Sequence, residues 1–140
     1  MTSMLPVVTA VYTAMFGLFA AFLTARVIMN RVKSGVTAGD GGKAELSQAI
    51  RAHANFAEHV PLALLLIAFA EAAGAPVLAI HGLGGLLLIA RLANAWGLSH
   101  SLGPTTGRQA GAGMTVFVTL IASLLILYLV LAAHWSRMVP

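Results

Sequence analysis

Three polar side chains share one face of a predicted helix at the start of an apolar stretch. Arg51, Asn55 and Glu58 are spaced i, i+4 and i+7, which at about 100° per residue places them within a roughly 60° arc. An ionised group at the bilayer centre costs on the order of 2.5–3.5 kcal/mol. We therefore expect this stripe to face protein, a ligand or a wet cavity rather than lipid.

Arg91 and Asn94 form a second polar set, on the same helix face as Leu98. Arg91 and Glu58 are expected at comparable depth in the membrane, which predicts a pairing between them. A structural ion pair that fixes helix register would explain this pair alone. The two polar sets together hold two cations, one carboxylate and two amides, which is more than fixing the helix register requires. They suit a small zwitterionic or anionic molecule that carries carboxylates and an amine.

The remaining ionisable groups separate into a border residue and end groups. His59 lies about 80° from Arg51 on the helical wheel and is expected to border the site. Glu71, at the far end of the same helix, is expected to be a solvated end charge. No histidine pair has the spacing with a carboxylate that makes a metal site, so no metal is expected. The absence of cysteine excludes a thiol nucleophile on the protein itself.

Composition places the chain in a membrane. It is 59% hydrophobic and 9% charged, with a mean hydropathy of +0.92, whereas soluble domains carry about 25% charged residues. The net charge of +4 does not indicate nucleic-acid binding, because the basic residues lie at the ends of apolar segments and inside them rather than on one solvated face.

Four apolar segments predict an all-α membrane protein, a bundle of four transmembrane helices in a single domain covering residues 1–140. The spans are expected at about residues 6–29, 45–73, 76–98 and 110–135, each near the roughly 20 residues that cross a bilayer. The first run is too long for a cleavable signal core. A small-residue face on the fourth helix, formed by Thr115, Thr119 and Ala122, indicates close helix packing.

Basic residues predict the orientation of the bundle. The first and third loops, with the adjoining helix ends, carry six of them, and the opposite side has one. The positive-inside rule therefore places these loops in the cytoplasm and both termini outside, so that the polar site faces the cytoplasm. The six are Arg26, Arg31, Lys33, Lys43, Arg51 and Arg108.

Residues 51–61 (RAHANFAEHVP), with 39–42 (GDGG) before them and 90–99 (ARLANAWGLS) after them, resemble the MAPEG family. These are membrane-associated proteins of eicosanoid and glutathione metabolism, and the likeness is to a bacterial member. It covers essentially the whole chain. The resemblance implies a homotrimer of four-helix subunits in the bacterial inner membrane. It also implies glutathione, as a co-substrate, in clefts between neighbours that open to the cytoplasmic side.

The resemblance also assigns roles to particular residues. It implies that Arg51, Asn55 and Glu58 contact glutathione, that Arg26 corresponds to an arginine closing the first helix, and that Arg108 corresponds loosely to an arginine beside the glutathione sulfur. Tyrosines of the animal members are replaced here. His59 and Asn94 keep hydrogen-bonding capacity at two of these positions, and Leu98 at the third does not. The predicted glutathione-binding set is Arg26, Arg51, Asn55, Glu58, His59, Arg91 and Asn94, with Arg108 as the catalytic residue.

The resulting hypothesis is a glutathione transferase or peroxidase-like enzyme. The nucleophile would be the glutathione thiolate, stabilised by the cation of Arg108, and the electrophile a lipophilic molecule entering from the lipid. The alternative is a non-catalytic trimeric membrane protein whose polar stripe binds lipid or another small anion, or fixes assembly. A transporter fits less well, since no broken helix is evident.

Overall fold

Four long helices make up the computed structural model, which describes residues 5–100, 103 and 105–138. They are α1 (Val7–Ser34), α2 (Ala44–Ala72), α3 (Val77–His100) and α4 (Thr106–Met138). Each is long and apolar enough to cross a membrane. The predicted all-α fold with four spanning helices is therefore confirmed, while the domain limits at residues 1 and 140 lie outside the described part.

The two helices that carry the polar sets form the centre of the bundle. α2 and α3 pack on each other, and each of them also packs on α1 and on α4, whereas α1 and α4 do not meet within the described residues. Phe56 of α2 is buried against α1, with its ring centroid 6.0 Å from that of Phe16 and 5.3 Å from that of Phe19. Asn55, one position earlier, is thereby turned away from α1, toward α3.

The outer surface of the bundle is apolar. Large hydrophobic side chains point outward from all four helices, among them Leu18, Val32, Leu78 and Leu131. In water such a surface would associate or aggregate. Such a surface is expected where a protein contacts lipid or a neighbouring copy of itself.

Two helix limits differ from those predicted by four residues or more. α1 continues five residues past position 29 and ends at Ser34, followed by the capping residue Gly35, whose backbone is left-handed (φ 66°). No glycine or proline occurs between residues 30 and 34, so nothing stops the helix earlier. α4 begins at Thr106 rather than near 110, which places Arg108 inside its first turn.

The loop between α1 and α2 is held by its own polar groups. Arg31 donates a hydrogen bond to the carbonyl of Gly39 (2.9 Å), and the N–H of Gly42 donates to Oδ1 of Asp40 (3.0 Å). The bond from Gly42, with a second from Ser47, holds the pKa of the Asp40 carboxyl below its ordinary value. These contacts fix where α2 starts relative to the end of α1.

Glu71 is bound rather than solvated, so the prediction of a free end charge was wrong. Its carboxylate accepts hydrogen bonds from the N–H of Val8 (2.8 Å), the N–H of Thr9 (2.7 Å) and the hydroxyl of Thr9 (2.6 Å). Pro6, at the N-cap of α1, provides no side-chain cap. The end of α2 therefore supplies the acceptor and the negative charge that the first turn of α1 needs.

Replacing Glu71 by alanine is expected to lower the free energy of unfolding by about 1–2 kcal/mol, the usual cost of losing a helix cap. Thermal unfolding in detergent measures it. Glu45, an exposed acidic residue in the first turn of α2, is the control, and Glu45→Ala is expected within about 0.5 kcal/mol of the wild type. Equal melting temperatures for the two variants would contradict the capping role.

Candidate functional site

The polar stripe of α2 lines a small cavity together with residues of α3 and α4. Arg51, Asn55 and Glu58 stand on one side, with Leu98 of α3 and Arg108 of α4 opposite, around a volume of about 80 Å³. Arg51 and Glu58 are exposed, whereas Asn55 and Arg108 are half-buried. The structure thus brings the three residues of the stripe together with the predicted catalytic arginine.

The start of α4 is held tightly against α3 beside this cavity. The N–H of Arg108 donates to Oγ1 of Thr105 (3.3 Å), and the carbonyl of Arg108 accepts a bond from Nδ2 of Asn94 (3.1 Å). A Cβ on Gly97 would lie 2.5 Å from Oγ1 of Thr105 and 2.8 Å from the backbone nitrogen of Arg108. Only glycine at position 97 permits α3 to come this close to the start of α4. The bond from Asn94 fixes the backbone of Arg108.

Arg91, on α3, links α2 and α4 behind the cavity. Its side chain is 2% exposed; Nη1 donates to Oδ1 of Asn55 (2.9 Å), and Nη2 donates to the carbonyl of Gly111 (3.0 Å) and to Oγ1 of Thr115. The predicted pairing of Arg91 with Glu58 was wrong. Glu58 is exposed one turn further along α2, and Arg91 is turned toward the buried acceptors of α4.

The site carries an excess of positive charge. Within the described residues Arg91 has no carboxylate partner, and its Nε has no hydrogen-bond partner. Arg51 and Arg108 line the cavity in front of it, and Glu58 is the only carboxylate among the described residues that line it. Three guanidinium groups around one carboxylate favour a ligand with net negative charge and a single cationic group.

His59 lies in a separate crevice next to the polar cavity. This crevice, about 210 Å³ between α2 and α4, is lined by Glu58 and His59 at one end and continues along apolar side chains such as Leu62, Val116 and Leu120. Glu58 borders both spaces. His59 therefore borders the site through Glu58, and does not line the polar cavity of its own chain.

Arg26 is not brought to the cavity of its own chain. It projects from α1 toward the end of α3, where Nη1 donates to Oγ of Ser99, and it is absent from the residues that line the cavity. The predicted site residues, the binding set together with the catalytic Arg108, thus fall into three groups. Arg51, Asn55, Glu58 and Arg108 converge, Arg91 and Asn94 are buried behind them, and Arg26 and His59 lie outside.

Gly111 and Thr105 were not predicted as part of the site. Gly111 offers a backbone carbonyl to Arg91, and Thr105 accepts the backbone N–H of Arg108. A signal for Gly111 was present, because the small-residue face identified at Thr115 extends back in steps of four through Gly111 to Gly107.

Comparison with known proteins agrees with this architecture. The sequence model of the MAPEG family matches residues 9–128. The inner membrane protein YecN of Escherichia coli K12 is 37% identical over 95 residues, which cover 68% of this chain and 72% of YecN; its counterpart in E. coli O6:H1 matches to the same extent. The four apolar helices make the chain an integral membrane protein, and its relative supports the bacterial inner membrane as its location. The chain belongs to the MAPEG family.

Proposed function

We propose that the chain binds glutathione in the polar cavity and uses the glutathione thiolate against a lipophilic electrophile. The observation that carries the proposal is the convergence of Arg51, Asn55, Glu58 and Arg108 from two helices on one cavity. Membership of a family with glutathione-dependent members supports the same ligand.

The charges of the cavity match those of glutathione. The tripeptide carries two carboxylates, one ammonium group and two peptide units. Arg51 would bind a carboxylate, Glu58 the ammonium group, and Asn55 would orient the peptide. The uncompensated cation of Arg91 adds to the attraction for a ligand with net negative charge.

The cavity of a single chain holds only part of such a ligand. Its volume of about 80 Å³ is well below the roughly 300–1,000 Å³ of typical ligand pockets, and both Arg51 and Glu58 remain exposed at its rim. A second copy of the chain would complete the enclosure. This supports an oligomer, and the family resemblance implies that it is a homotrimer with glutathione between neighbours, in which Arg26 would reach a glutathione carboxylate from the adjacent subunit.

The chemistry proposed for the site needs a thiolate and an electrophile that arrives through the lipid. A guanidinium beside the sulfur lowers the pKa of the thiol, and Arg108 is our candidate for that role. With an aryl halide, the sulfur forms a bond to the ring carbon, the halide leaves, and the thiol proton passes to solvent. The site would face the cytoplasm, where glutathione is dissolved.

Titration of the purified protein with glutathione tests the proposal. Saturable binding is expected, and Arg51→Ala is expected to weaken it roughly 10- to 100-fold, the value of a lost charge-assisted contact of about 1.5–3 kcal/mol. Lys33→Ala, which removes an exposed cation outside the cavity, is the matched control and should bind normally.

Native mass spectrometry of the same samples separates this function from the alternative. If Arg51→Ala loses glutathione while the oligomer persists, the stripe serves a ligand. If the oligomer dissociates and the wild type shows no saturable binding, the stripe serves assembly and the proposed enzyme is wrong.

A further inference from the structure

The orientation of one carboxamide at the cavity is set by the residue behind it. Nη1 of Arg91 lies 2.9 Å from Oδ1 of Asn55. A guanidinium has five N–H donors and no acceptor. The atom of Asn55 that meets it must therefore be the oxygen, and this conclusion rests on the chemistry of Arg91 rather than on how the amide oxygen and nitrogen are assigned.

Arg91 cannot turn away to release the amide. It is 2% exposed, and its other terminal nitrogen, Nη2, donates to the carbonyl of Gly111 (3.0 Å) and to the hydroxyl of Thr115. That hydroxyl in turn donates to the same carbonyl (2.8 Å). The guanidinium is thus fixed on α4, and Asn55 is fixed on the guanidinium.

The amide nitrogen of Asn55 is the end that remains for the cavity. The side chain is half-buried and lines the cavity, its oxygen is engaged by Arg91, and its NH₂ group donates to no other described residue. We propose that Arg91 is a positioning residue that presents Asn55 as a hydrogen-bond donor, so that Asn55 recognises a carboxylate or peptide carbonyl of the ligand and not its amine. This inference rests on the proposed function and specifies its binding mode.

The division of roles around the cavity follows from this orientation. Arg51, Arg108 and the NH₂ of Asn55 are all donors, and among the described residues that line the cavity Glu58 is the one side chain with free acceptor capacity. A bound peptide would place its carbonyl or carboxylate oxygens toward α2 and α4, and its ammonium group at Glu58. An amine opposite Asn55 would set donor against donor, which is the kind of mismatch by which a polar site rejects a ligand.

Asn55→Asp provides the central test, because aspartate keeps an oxygen for Arg91 and removes only the NH₂ group. We expect a melting temperature at or above that of the wild type, since the carboxylate pairs with the guanidinium. Affinity for glutathione, measured by isothermal titration in detergent, is expected to fall roughly 10- to 100-fold. Wild-type affinity in Asn55→Asp would overturn the proposal.

Asn55→Leu controls for the charge that aspartate introduces. Leucine lacks the donor as well, so affinity for glutathione should fall into the same range, and the melting temperature should fall too because Arg91 loses an acceptor. If Asn55→Leu binds like the wild type and only Asn55→Asp is weakened, the loss comes from added charge and the proposal is wrong.

Asn94→Asp makes the same chemical change where the NH₂ group is used inside the chain. Nδ2 of Asn94 donates to the carbonyl of Arg108, so this variant is expected to melt lower than the wild type while Asn55→Asp does not. Equal losses of stability in both would mean that the NH₂ group of Asn55 is bonded inside the chain and is not presented to the cavity, and the proposal would be wrong. If the wild type binds no glutathione, the proposed function fails, and the melting comparison still decides whether the NH₂ group of Asn55 is bonded inside the chain.

Discussion

Arg108→Ala is expected to lower glutathione-dependent turnover of an aryl halide by about 100-fold at neutral pH, with a much smaller effect on glutathione affinity. Arg108 lines the cavity from the first turn of α4, opposite the residues proposed to hold the tripeptide. Loss of one preorganised charge-stabilising donor typically costs about 10²–10³ in kcat. The measurement is steady-state conjugation in detergent, compared with glutathione binding by the same variant.

The pH profile distinguishes thiolate stabilisation from a structural effect. The thiolate is the reactive form, so the rate rises as pH passes the pKa of the bound thiol. Removing the cation moves that pKa up toward about 8.5, the value for a free thiol. Turnover by Arg108→Ala should therefore recover at alkaline pH, where the wild type has already reached its plateau.

Arg108→Lys is the matched variant, since it keeps the positive charge and loses the planar guanidinium. It should retain more activity than the alanine variant and a less shifted pH profile. An Arg108→Ala enzyme with an unshifted profile and undiminished turnover would exclude Arg108 as the thiolate-stabilising group.

The helices and the stripe could be predicted from the sequence because both depend on short-range patterns. A run of about 20 apolar residues predicts a spanning helix, and the four such runs correspond to α1 through α4. The i, i+4, i+7 spacing places Arg51, Asn55 and Glu58 on one face whatever packs against it. Their common cavity follows from that face being turned toward protein.

The partners of the charged residues could not be predicted, because those partners are partly backbone groups of another helix. Arg91 was expected to pair with the carboxylate of Glu58. It donates instead to Asn55, to the carbonyl of Gly111 and to Thr115. Glu71 was expected in solvent, yet it accepts two backbone N–H groups of α1. Every residue type carries a backbone carbonyl, so the sequence does not show which backbone group will bind a charged side chain. Only the three-dimensional structure shows that contact.

The close approach of α3 and α4 at Gly111 predicts the largest effect on stability. A Cβ at this position would lie 2.5 Å from the carbonyl oxygen of Ala90, and 2.9 Å from both the Cβ and the backbone nitrogen of Asn94. Two of these three neighbours are backbone atoms, which cannot rotate aside as a flexible side chain would. Gly111→Ala is therefore expected to push the helices apart and to cost about 1–3 kcal/mol in unfolding free energy.

Gly113, two positions further along α4, is the matched control, because a Cβ there meets no atom of the described residues within 4 Å. Gly113→Ala should be neutral or stabilising by up to about 1 kcal/mol, since alanine favours the helix more than glycine does. Thermal unfolding of both variants in the same detergent measures the difference.

Gly111→Ala should also weaken glutathione binding, because moving α4 displaces the carbonyl that fixes Arg91 and the first turn that carries Arg108. Equal melting temperatures for the two alanine variants would show that α3 and α4 do not approach each other at Gly111, and the placement of Arg91 behind the cavity would have to be abandoned with it.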